Sequence, residues 1–257
     1  MCADTLRMAA AMECDAILQR EDRFTVKAFD CQPDGRLKLN ALMQYLQESA
    51  ARHAEQLGFG FEDMEKQGCF WVLTNFRLEI TREPKWTDRF VVRTWPSGHT
   101  RLTATREFIG EAHEGGELFR AASEWMILDR HSARPRNLSR LSVGLPPNGP
   151  KALSTPVERL KPAQGYSRAH ALQVPFSALD FNGHVNNTEY IRWAMDGLHS
   201  MLGRSVQIRQ VQMTYLAELF EGDEVEVLLR PDGDAHVHIL ERSARGPADA
   251  FLMEVRY

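Results

Sequence analysis

The segments PKWTDRFVVRTWPSG at 84–98 and LFEGDEVEVLLRPDG at 219–233 can be laid over each other without a gap. In this overlay Asp88 falls on Asp223, and both segments end in a Pro-x-Gly turn. The run after each aspartate is rich in β-branched residues, which is typical of a strand. Shared order and shared turn residues indicate an internal duplication. Two half-domains that cannot each cover an apolar helix can pair their sheets into one core.

A helix followed by antiparallel strands is predicted in each half. LNALMQYLQESAARHAEQL at 39–57 places Leu and Ala at helical spacing, and Gly58 follows as a stop signal. A second helix is predicted from near Asn186 to about Leu202, with YIR at 190–192 laid over YLQ at 45–47. Clusters of β-branched and aromatic residues predict the strands, and Pro96-Ser97-Gly98 predicts a turn. The predicted strands are Phe70–Ile80, Arg89–Trp95, Arg101–Ile109, Leu118–Leu128, Ala169–Val174, Arg209–Ala217, Asp223–Leu229, Ala235–Glu241 and Ala250–Tyr257.

These patterns divide the chain into four parts. Residues 1–20 are predicted to be a poorly ordered lead-in, and residues 21–133 form the first half. The stretch 134–165 is rich in Pro and Gly with little periodicity, which indicates a connector. Residues 166–257 form the second half.

Bulk composition is that of a soluble globular protein. The chain has 257 residues, of which 43% are hydrophobic and 26% charged, so a sizeable core is expected. No run approaches the roughly 20 apolar residues that span a bilayer, and Asp4 and Glu13 interrupt the apolar core of a signal peptide. A net charge of −4 gives no reason to expect a nucleic acid or an anionic membrane as partner. We therefore expect a cytoplasmic location.

The spacing of the cysteines is not that of a metal-binding motif. Cys2, Cys14, Cys31 and Cys69 form no Cys-x-x-Cys pair, and no His stands at zinc-ligand distance from them in the sequence. Free thiols in a reducing compartment are the favoured interpretation. We expect neither a metal nor a cofactor.

The segment richest in chemistry is DFNGHVNNTEY, which begins at Asp180. Asn186 followed by Glu189 is typical of a capping box, so Asp180, Asn182 and His184 fall in the loop before a helix N-terminus. Unpaired N–H groups and the positive end of the helix dipole can polarise a carbonyl there, and His and Asp are candidate bases. The alternative is a capped turn in which Asn and Gly serve the backbone alone.

The first half lacks an equivalent cluster. Its corresponding approach, PDGRLKLNALMQYL, offers Asp34 and Asn40 but no His. We therefore predict one live site, with the first half supporting it or shaping the substrate cavity.

A family resemblance rests on three segments. DFNGHVNNTEYIRW at 180–193 resembles the signature of acyl-acyl-carrier-protein (acyl-ACP) thioesterases, which are double-hotdog enzymes of fatty acid synthesis. Residues 36–58 and 69–98 resemble the first hotdog of that family, including its Trp-Val-Leu and Pro-x-Trp-x-Asp elements. The resemblance extends from about Arg23 to the C-terminus. It implies an α+β fold of two fused hotdog subdomains, each a long helix wrapped by an antiparallel sheet.

The resemblance also implies a catalytic set. The family's Asp-x-Asn-x-His run maps onto Asp180, Asn182 and His184, and its acidic residue on a following strand maps onto Glu218. The family often has Cys directly after that acid, whereas this chain has Leu219. Our hypothesis is therefore attack by water that Glu218 and His184 orient and deprotonate, without an acyl-cysteine intermediate. Asp180 is expected to position His184 or the helix-entry loop, and direct attack by Asp180, as in other hotdog enzymes, is the alternative. Backbone N–H groups near the helix start are expected to hold the substrate and its oxyanion; the residues concerned are Val185, Asn186 and Asn187.

The implied activity is hydrolysis of fatty acyl-ACP thioesters, with acyl carrier protein as partner. Because the GHVNN core also resembles single-hotdog acyl-CoA thioesterases of the hydroxybenzoyl-CoA type, an acyl-CoA thioesterase is the first alternative. The second is a hotdog sensor that binds acyl thioesters without cleaving them. A hotdog dehydratase is a third alternative, but the Asn-rich helix start resembles thioesterases more closely. Both a monomer and a homodimer are compatible with the duplicated sequence.

Overall fold

The computed structural model describes residues 18–140, 149–244 and 248–257. Within these ranges there are three α-helices and ten strands. The ten strands form one antiparallel sheet. The helices are α1 (Leu39–Gln56), α2 (Phe61–Lys66) and α3 (Asn187–Leu202). The strands are β1 (Arg20–Thr25), β2 (Cys69–Ile80), β3 (Arg89–His99), β4 (Thr103–Ala112), β5 (Glu117–Asp129), β6 (Ser167–Gln173), β7 (Gln210–Tyr215), β8 (Glu224–Pro231), β9 (His236–Ser243) and β10 (Asp249–Arg256).

The sheet carries the predicted duplication in its strand order, β1-β3-β4-β5-β2-β7-β10-β9-β8-β6. Read from either outer edge inward, the two halves have equivalent connectivity, and they join through antiparallel pairing of β2 with β7. Arg77 lies opposite Gln212 at this junction. The overlay of 84–98 on 219–233 also makes Arg77 and Gln212 equivalent. This pair therefore lies on a pseudo-two-fold axis between the halves.

The two long helices pack together on one face of the sheet. α1 buries Leu39, Leu42 and Leu46 with the rest of its apolar stripe, and α3 buries Tyr190 and Ile191 in the same cluster. Fully burying a side chain of this size is worth about 1.5–3 kcal/mol. The shared core explains why neither half needs to cover its helix alone, and the α+β prediction is confirmed.

Most element boundaries lie within two residues of the predictions, but the predicted turn at Pro96-Ser97-Gly98 is wrong. These residues lie inside β3, where a register shift between Pro96 and Gly98 marks a bulge. A bulge accommodates Pro and Gly within a strand because it breaks the ladder locally. Helix α2 was not predicted, since one and a half turns give too short a periodic pattern.

The overlay of YLQ on YIR is also wrong, by one helical turn. Lys38 and Asn186 are the N-cap residues of α1 and α3, so the helices align from these positions and Tyr45 falls on Trp193. A slip of three residues keeps nearly the same helix face, which is why the sequence comparison accepts it.

The connector runs against the sheet near the junction of the halves. The Leu160 N–H donates to Thr214 Oγ1 over 2.9 Å, and Gln212 Nε2 donates to the Glu158 carbonyl over 2.5 Å. The domain division at 21–133, 134–165 and 166–257 is retained as a proposal. Most of the predicted lead-in, residues 1–17, lies outside the described residues.

The predicted free thiols are confirmed for Cys31 and Cys69. Cys2 and Cys14 lie outside the described residues. No helix in the described part of the chain is long and apolar enough to cross a membrane.

Candidate active site

The predicted catalytic loop is a tight turn closed by a bridge between Leu179 and Val185. The Asp180 N–H donates to the His184 carbonyl over 2.8 Å, and the Gly183 N–H donates to the Asp180 carbonyl over 3.0 Å. Gly183 has φ +78°, a left-handed conformation that side-chain-bearing residues rarely adopt. The sequence Asp-x-Asn-Gly-His therefore folds into this turn for local reasons.

The Asp180 carboxylate is engaged inside the turn. Its Oδ1 accepts the Asn182 N–H over 2.8 Å and the His184 N–H over 3.3 Å. These bonds fix the backbone at Asn182 and His184, the other two members of the predicted Asp-x-Asn-x-His run. The geometry favours a positioning role for Asp180.

His184 and Glu218 are brought together across the chain. His184 Nδ1 lies 3.3 Å from Glu218 Oε1, and the two side chains are 31% and 44% exposed. The Phe220 ring stands edge-on to the imidazole at a centroid distance of 5.2 Å. A carboxylate that accepts the N–H of one imidazole nitrogen orients the ring and turns the lone pair of the other nitrogen outward. The pair can therefore act as a base unit that solvent reaches.

Tyr190 anchors the backbone on both sides of Glu218. Its hydroxyl accepts the Leu219 N–H over 3.1 Å and faces the Ala217 carbonyl at 3.4 Å. The Val185 N–H in turn donates to the Leu219 carbonyl over 3.0 Å, which ties the His184 turn to the Glu218 segment. Sequence reasoning missed this role because a buried tyrosine on an apolar helix face has no local signal of a partner far along the chain.

The start of α3 differs in detail from the predicted capping box. Asn186 Oδ1 accepts the Thr188 N–H over 2.9 Å and the Thr188 hydroxyl over 2.8 Å, so Asn186 is the N-cap as expected. The Glu189 carboxylate does not reach back to the cap; it bonds Arg192 Nε over 2.8 Å. The nearby guanidinium offers a charge-assisted partner, which is stronger than a neutral N–H.

The predicted oxyanion donors need a correction. The Val185 N–H donates to Leu219 and the Asn186 N–H donates to the Ala178 carbonyl over 2.9 Å, so both groups are occupied. Asn187 is the first residue of α3, where a backbone N–H has no acceptor within the helix. Among the three predicted residues, Asn187 is the one whose N–H group suits a substrate oxygen.

A mainly apolar cavity of about 440 Å³ adjoins the catalytic loop. The loop and the start of α3 contribute Asp180, Asn182 and Asn187, among others, to the cavity wall. His184 and Glu218 are not part of this wall. The loop thus faces the cavity with its Asp180–Asn182 portion and reaches Glu218 with His184. Most of the wall comes from the first half: Gln47, Ala50, Ala51, Ala54, Glu55, Leu57, Phe59, Gly60, Phe61, Met64, Phe70, Trp71, Pro96, Ala104, Thr105, Arg106 and Trp125.

Helix α2 contributes to this wall and contacts the catalytic loop. Phe61 stands edge-on to Phe181 with ring centroids 5.0 Å apart. The Phe61 N–H donates to Glu55 Oε1 over 2.8 Å, which caps α2. A side chain at Gly60 would displace the same carboxylate, which lies over the Gly60 Cα. The predicted division of labour, in which the first half supports the site or shapes the substrate cavity, stays a prediction.

Arg106 is a charged group in the otherwise mostly uncharged cavity wall. Its Nη1 lies 3.0 Å from His53 Nδ1 and 3.3 Å from Thr94 Oγ1, and burial lowers the pKa of Arg106 to about 10. Trp71 and Trp125 also line the cavity. Met43 and Phe76 belong to the core instead.

The duplicated sheet and its acid–amide–imidazole loop define the class of double-hotdog thioesterases. Residues 18–140 match the family described as the acyl-ACP thioesterase N-terminal domain, and residues 162–245 match the acyl-ACP thioesterase C-terminal domain. The chain belongs to the acyl-ACP thioesterase family, a family of hydrolases, as the sequence resemblance predicted.

Individual relatives agree with this assignment. The chain is 27% identical to the chloroplastic oleoyl-acyl carrier protein thioesterase of Coriandrum sativum, over 90% of this chain and 67% of that protein. An acyl-ACP thioesterase structure from Bacteroides thetaiotaomicron has a TM-score of 0.84 at 25% identity and covers 93% of this chain and 97% of that one. The 12:0-ACP thioesterase from Umbellularia californica superposes with a TM-score of 0.78 at 20% identity, covering 93% and 96%. The predicted double-hotdog fold is confirmed.

Proposed function

We propose that the protein hydrolyses fatty acyl-ACP thioesters to free fatty acid and holo carrier protein, by direct attack of water. The observation that carries this proposal is the 3.3 Å contact between His184 Nδ1 and Glu218 Oε1, beside a loop that also borders an apolar cavity. Family membership supports the acyl-ACP substrate. The cytoplasmic location stays a prediction.

The water attack uses His184 and Glu218 as one base unit. When Nδ1–H donates to Glu218, Nε2 carries the lone pair that accepts a proton from water. The water oxygen bonds to the thioester carbonyl carbon, the C–S bond breaks, and the imidazolium returns its proton to the leaving thiolate. A general base of this kind contributes about 10²–10⁴-fold in rate.

Developing charge on the carbonyl oxygen needs donors aimed at it. The Asn182 side-chain amide and the Asn187 N–H are the groups of the loop and helix start that we assign to this role. Both residues line the cavity, and Asn187 stands at the positive end of the α3 dipole. Asp180 holds the turn through the Asn182 and His184 N–H groups.

A cysteine nucleophile is excluded at the position where the family often has one, because Leu219 follows Glu218 and no cysteine occurs after Cys69. Carboxylate attack by Asp180 or Glu218 remains the rival route. Single turnover in ¹⁸O-labelled water detects an acyl–carboxylate intermediate that is hydrolysed at the enzyme carboxyl. Water attack places the label in the fatty acid alone, whereas an acyl–carboxylate intermediate that breaks down at the enzyme carboxyl leaves the label in the Asp180 or Glu218 peptide on mass spectrometry.

The carrier is tested by thiol release on matched acyl-ACP and acyl-CoA substrates over a series of chain lengths. The wild type is compared with His184→Ala and with a control, His199→Ala, which changes an exposed histidine of α3. We expect preference for acyl-ACP, a loss of about two or more orders of magnitude in His184→Ala, and wild-type rates in the control.

Faster turnover of acyl-CoA would make the protein an acyl-CoA thioesterase. Binding of acyl thioesters by wild type and mutant alike, with no turnover of either substrate, would make it a binding module and overturn the catalytic assignments.

A further inference from the structure

A cluster of histidines and carboxylates lies on the outer face of the second half. His236 and His238 are two residues apart on β9, so their side chains point to the same face of the sheet. Val237 and Ile239 alternate with them and are buried in the core beneath α3. Asp232 reaches the histidines from the β8–β9 turn, and Glu254 reaches them from β10. The cluster therefore faces away from the core that holds the helices.

The distances within the cluster match a metal coordination sphere. Asp232 Oδ2 lies 3.2 Å from His236 Nδ1 and 3.3 Å from His238 Nε2. Ligand atoms bound to one zinc ion at about 2.0–2.2 Å with tetrahedral angles lie roughly 3.3–3.5 Å apart. One ligand atom from each of these three residues lies within 4.8 Å of the other two. Side-chain rotations alone can close the set around one ion.

Glu254 lies beside both imidazoles and is within hydrogen-bond distance of His238. Its Oε1 lies 3.0 Å from His238 Nδ1, and its Oε2 lies 3.8 Å from His236 Nε2. Metal-bound histidines commonly donate their second ring N–H to a carboxylate in this way, which fixes the tautomer and directs the other nitrogen to the metal.

His238 thus has a carboxylate oxygen within hydrogen-bond distance of both ring nitrogens. His236 has one only at Nδ1, and its buried Nε2 has no hydrogen-bond partner among the described residues. A neutral imidazole has one N–H, so it can donate to one carboxylate and turns a lone pair towards the other. When a neutral His238 donates its Nδ1–H to Glu254, the lone pair on its Nε2 therefore meets the Asp232 oxygen. A cation at the point where these atoms converge resolves the conflict.

We propose that Asp232, His236 and His238 bind one divalent transition-metal ion, with Glu254 as the carboxylate that orients His238. Two imidazoles and one carboxylate suit Zn²⁺, Co²⁺ or Ni²⁺ and not Mg²⁺ or Ca²⁺, which prefer oxygen ligands. Water completes the coordination. The ion ties the β8–β9 turn to strand β10.

Two arginines border the cluster and limit its affinity. Arg256 lies opposite His236 on β10, and Arg230 lies opposite His238 on β8. Their charges offset those of Asp232 and Glu254, so the ion enters a region with little net charge. We therefore expect reversible binding that a chelator removes.

Zinc and cobalt titrations of untagged, chelator-treated protein test the proposal. Isothermal titration calorimetry gives the stoichiometry, and the visible absorption of Co²⁺ reports its geometry. The variants are His238→Ala, Asp232→Asn and Glu254→Gln. The control, His113→Ala, changes an exposed histidine of the β4–β5 hairpin. Thiol release by each variant reports on intact folding, because the cluster is separate from the residues of the catalytic loop.

One Zn²⁺ per chain is expected in the wild type and the control, with a Tm that rises with metal concentration. Saturable binding is lost in His238→Ala and Asp232→Asn, and Glu254→Gln weakens it by about 10–100-fold. The proposal is overturned if the wild type takes up no stoichiometric ion, or if His238→Ala and Asp232→Asn bind as tightly as the wild type.

Discussion

The two halves build the same turn at the start of their long helices, yet only the turn in the second half carries the proposed catalytic histidine. Arg36 stands where the other half has His184, and each residue accepts an N–H bond of 2.8 Å at its carbonyl from the start of its turn. Gly35 and Gly183 share the left-handed conformation, with φ +82° and +78°. The duplicated backbone is therefore preserved where the chemistry is not.

The side chains at equivalent positions differ in what they can do. Arg36 Nη1 contacts Glu83 Oε2 at 2.8 Å, and these side chains are 10% and 9% exposed, against 31% and 44% for His184 and Glu218. A hydrogen bond to Asp34, together with Glu83, raises the pKa of Arg36 above its ordinary value. A guanidinium that stays charged cannot accept a proton from water.

The segments that follow the two long helices, α1 and α3, also differ in what they contact. The Arg36–Glu83 pair of the first half binds the segment that follows α3 in the second half. Arg36 Nη1 donates to the Val206 carbonyl over 2.8 Å, and the Ile208 N–H donates to Glu83 Oε1 over 2.9 Å. In the second half, the corresponding region is occupied by α2 of the first half, which helps to form the apolar cavity. One turn holds the halves together, and the other leaves its side chains open to solvent.

The largest expected effect is a difference in kcat/KM between variants of the two equivalent glutamates, Glu218 and Glu83. Glu218→Gln removes the carboxylate beside His184 and is expected to lower kcat/KM by about 10²–10⁴-fold. Glu83→Gln changes the same position of the other half and leaves kcat/KM near the wild-type value. Steady-state thiol release on acyl-ACP measures both. Equal losses in the two variants would show that the halves are not divided as described.

The ion pair of the first half is expected to matter for stability instead. Arg36→Met leaves the buried Glu83 without its partner, and breaking such a pair costs about 3–5 kcal/mol. The double variant Arg36→Met/Glu83→Leu removes both charges and should recover most of that loss. Urea unfolding gives the free energies. A single variant as stable as the wild type would contradict the buried-pair account.

A third contrast lies on the sheet, where Glu241 and Gly110 are equivalent because they pair with Val227 and Val92. The Phe119 ring fills the space next to Gly110, whereas the Glu241 carboxylate is buried without a hydrogen-bond partner among the described residues. Burial raises the pKa of Glu241 well above its ordinary value. The folded state therefore binds this proton more tightly than the unfolded state.

The pH dependence follows from that direction. The stability linked to Glu241 is present below the unfolded pKa and is lost as pH rises towards the folded pKa. Glu241→Gln should therefore raise the free energy of unfolding near pH 7 by about 1–3 kcal/mol, with the gain shrinking towards pH 4. Denaturant unfolding at several pH values measures this. A gain that grows on acidification would reverse the assignment.

The smallest contrast concerns the two helix caps. Asn186 accepts the Thr188 N–H, whereas Lys38 at the start of α1 makes no side-chain cap. Asn186→Ala should cost about 0.5–2 kcal/mol in the free energy of unfolding, and Lys38→Ala should cost less. Thermal and urea unfolding compare the pair. A larger loss in Lys38→Ala would show that the cap is not what distinguishes the helix starts.

Local pattern was enough to predict the ranges of the two long helices, most strands and the loop from Asp180 to Asn187. These features depend on spacing, turn residues and caps within a few residues. The equivalence of Glu83 with Glu218 also follows from the gapless overlay. The equivalence of Arg36 with His184 could not be predicted. The sequence overlay placed the two helices one turn out of register, so that Arg36 did not fall on His184.

Other parts of the site depend on contacts between distant segments. Tyr190 meets Ala217 and Leu219 across the fold, and the occupied N–H groups of Val185 and Asn186 depend on the same approach. The Asp232–His236–His238 cluster needs a turn, a strand pleat and a neighbouring strand together. Sequence spacing alone contains none of these distances.

The kcat/KM of His184→Arg on acyl-ACP tests the central claim most directly, since it gives the second half the residue that stands in the first. The arginine can pair with Glu218 as Arg36 pairs with Glu83, so we expect a folded protein whose Tm is not lowered. We predict a loss of about 10²–10⁴-fold in kcat/KM, because no imidazole remains to accept the proton. A variant that keeps kcat/KM within a few-fold of the wild-type value would show that His184 is not the base.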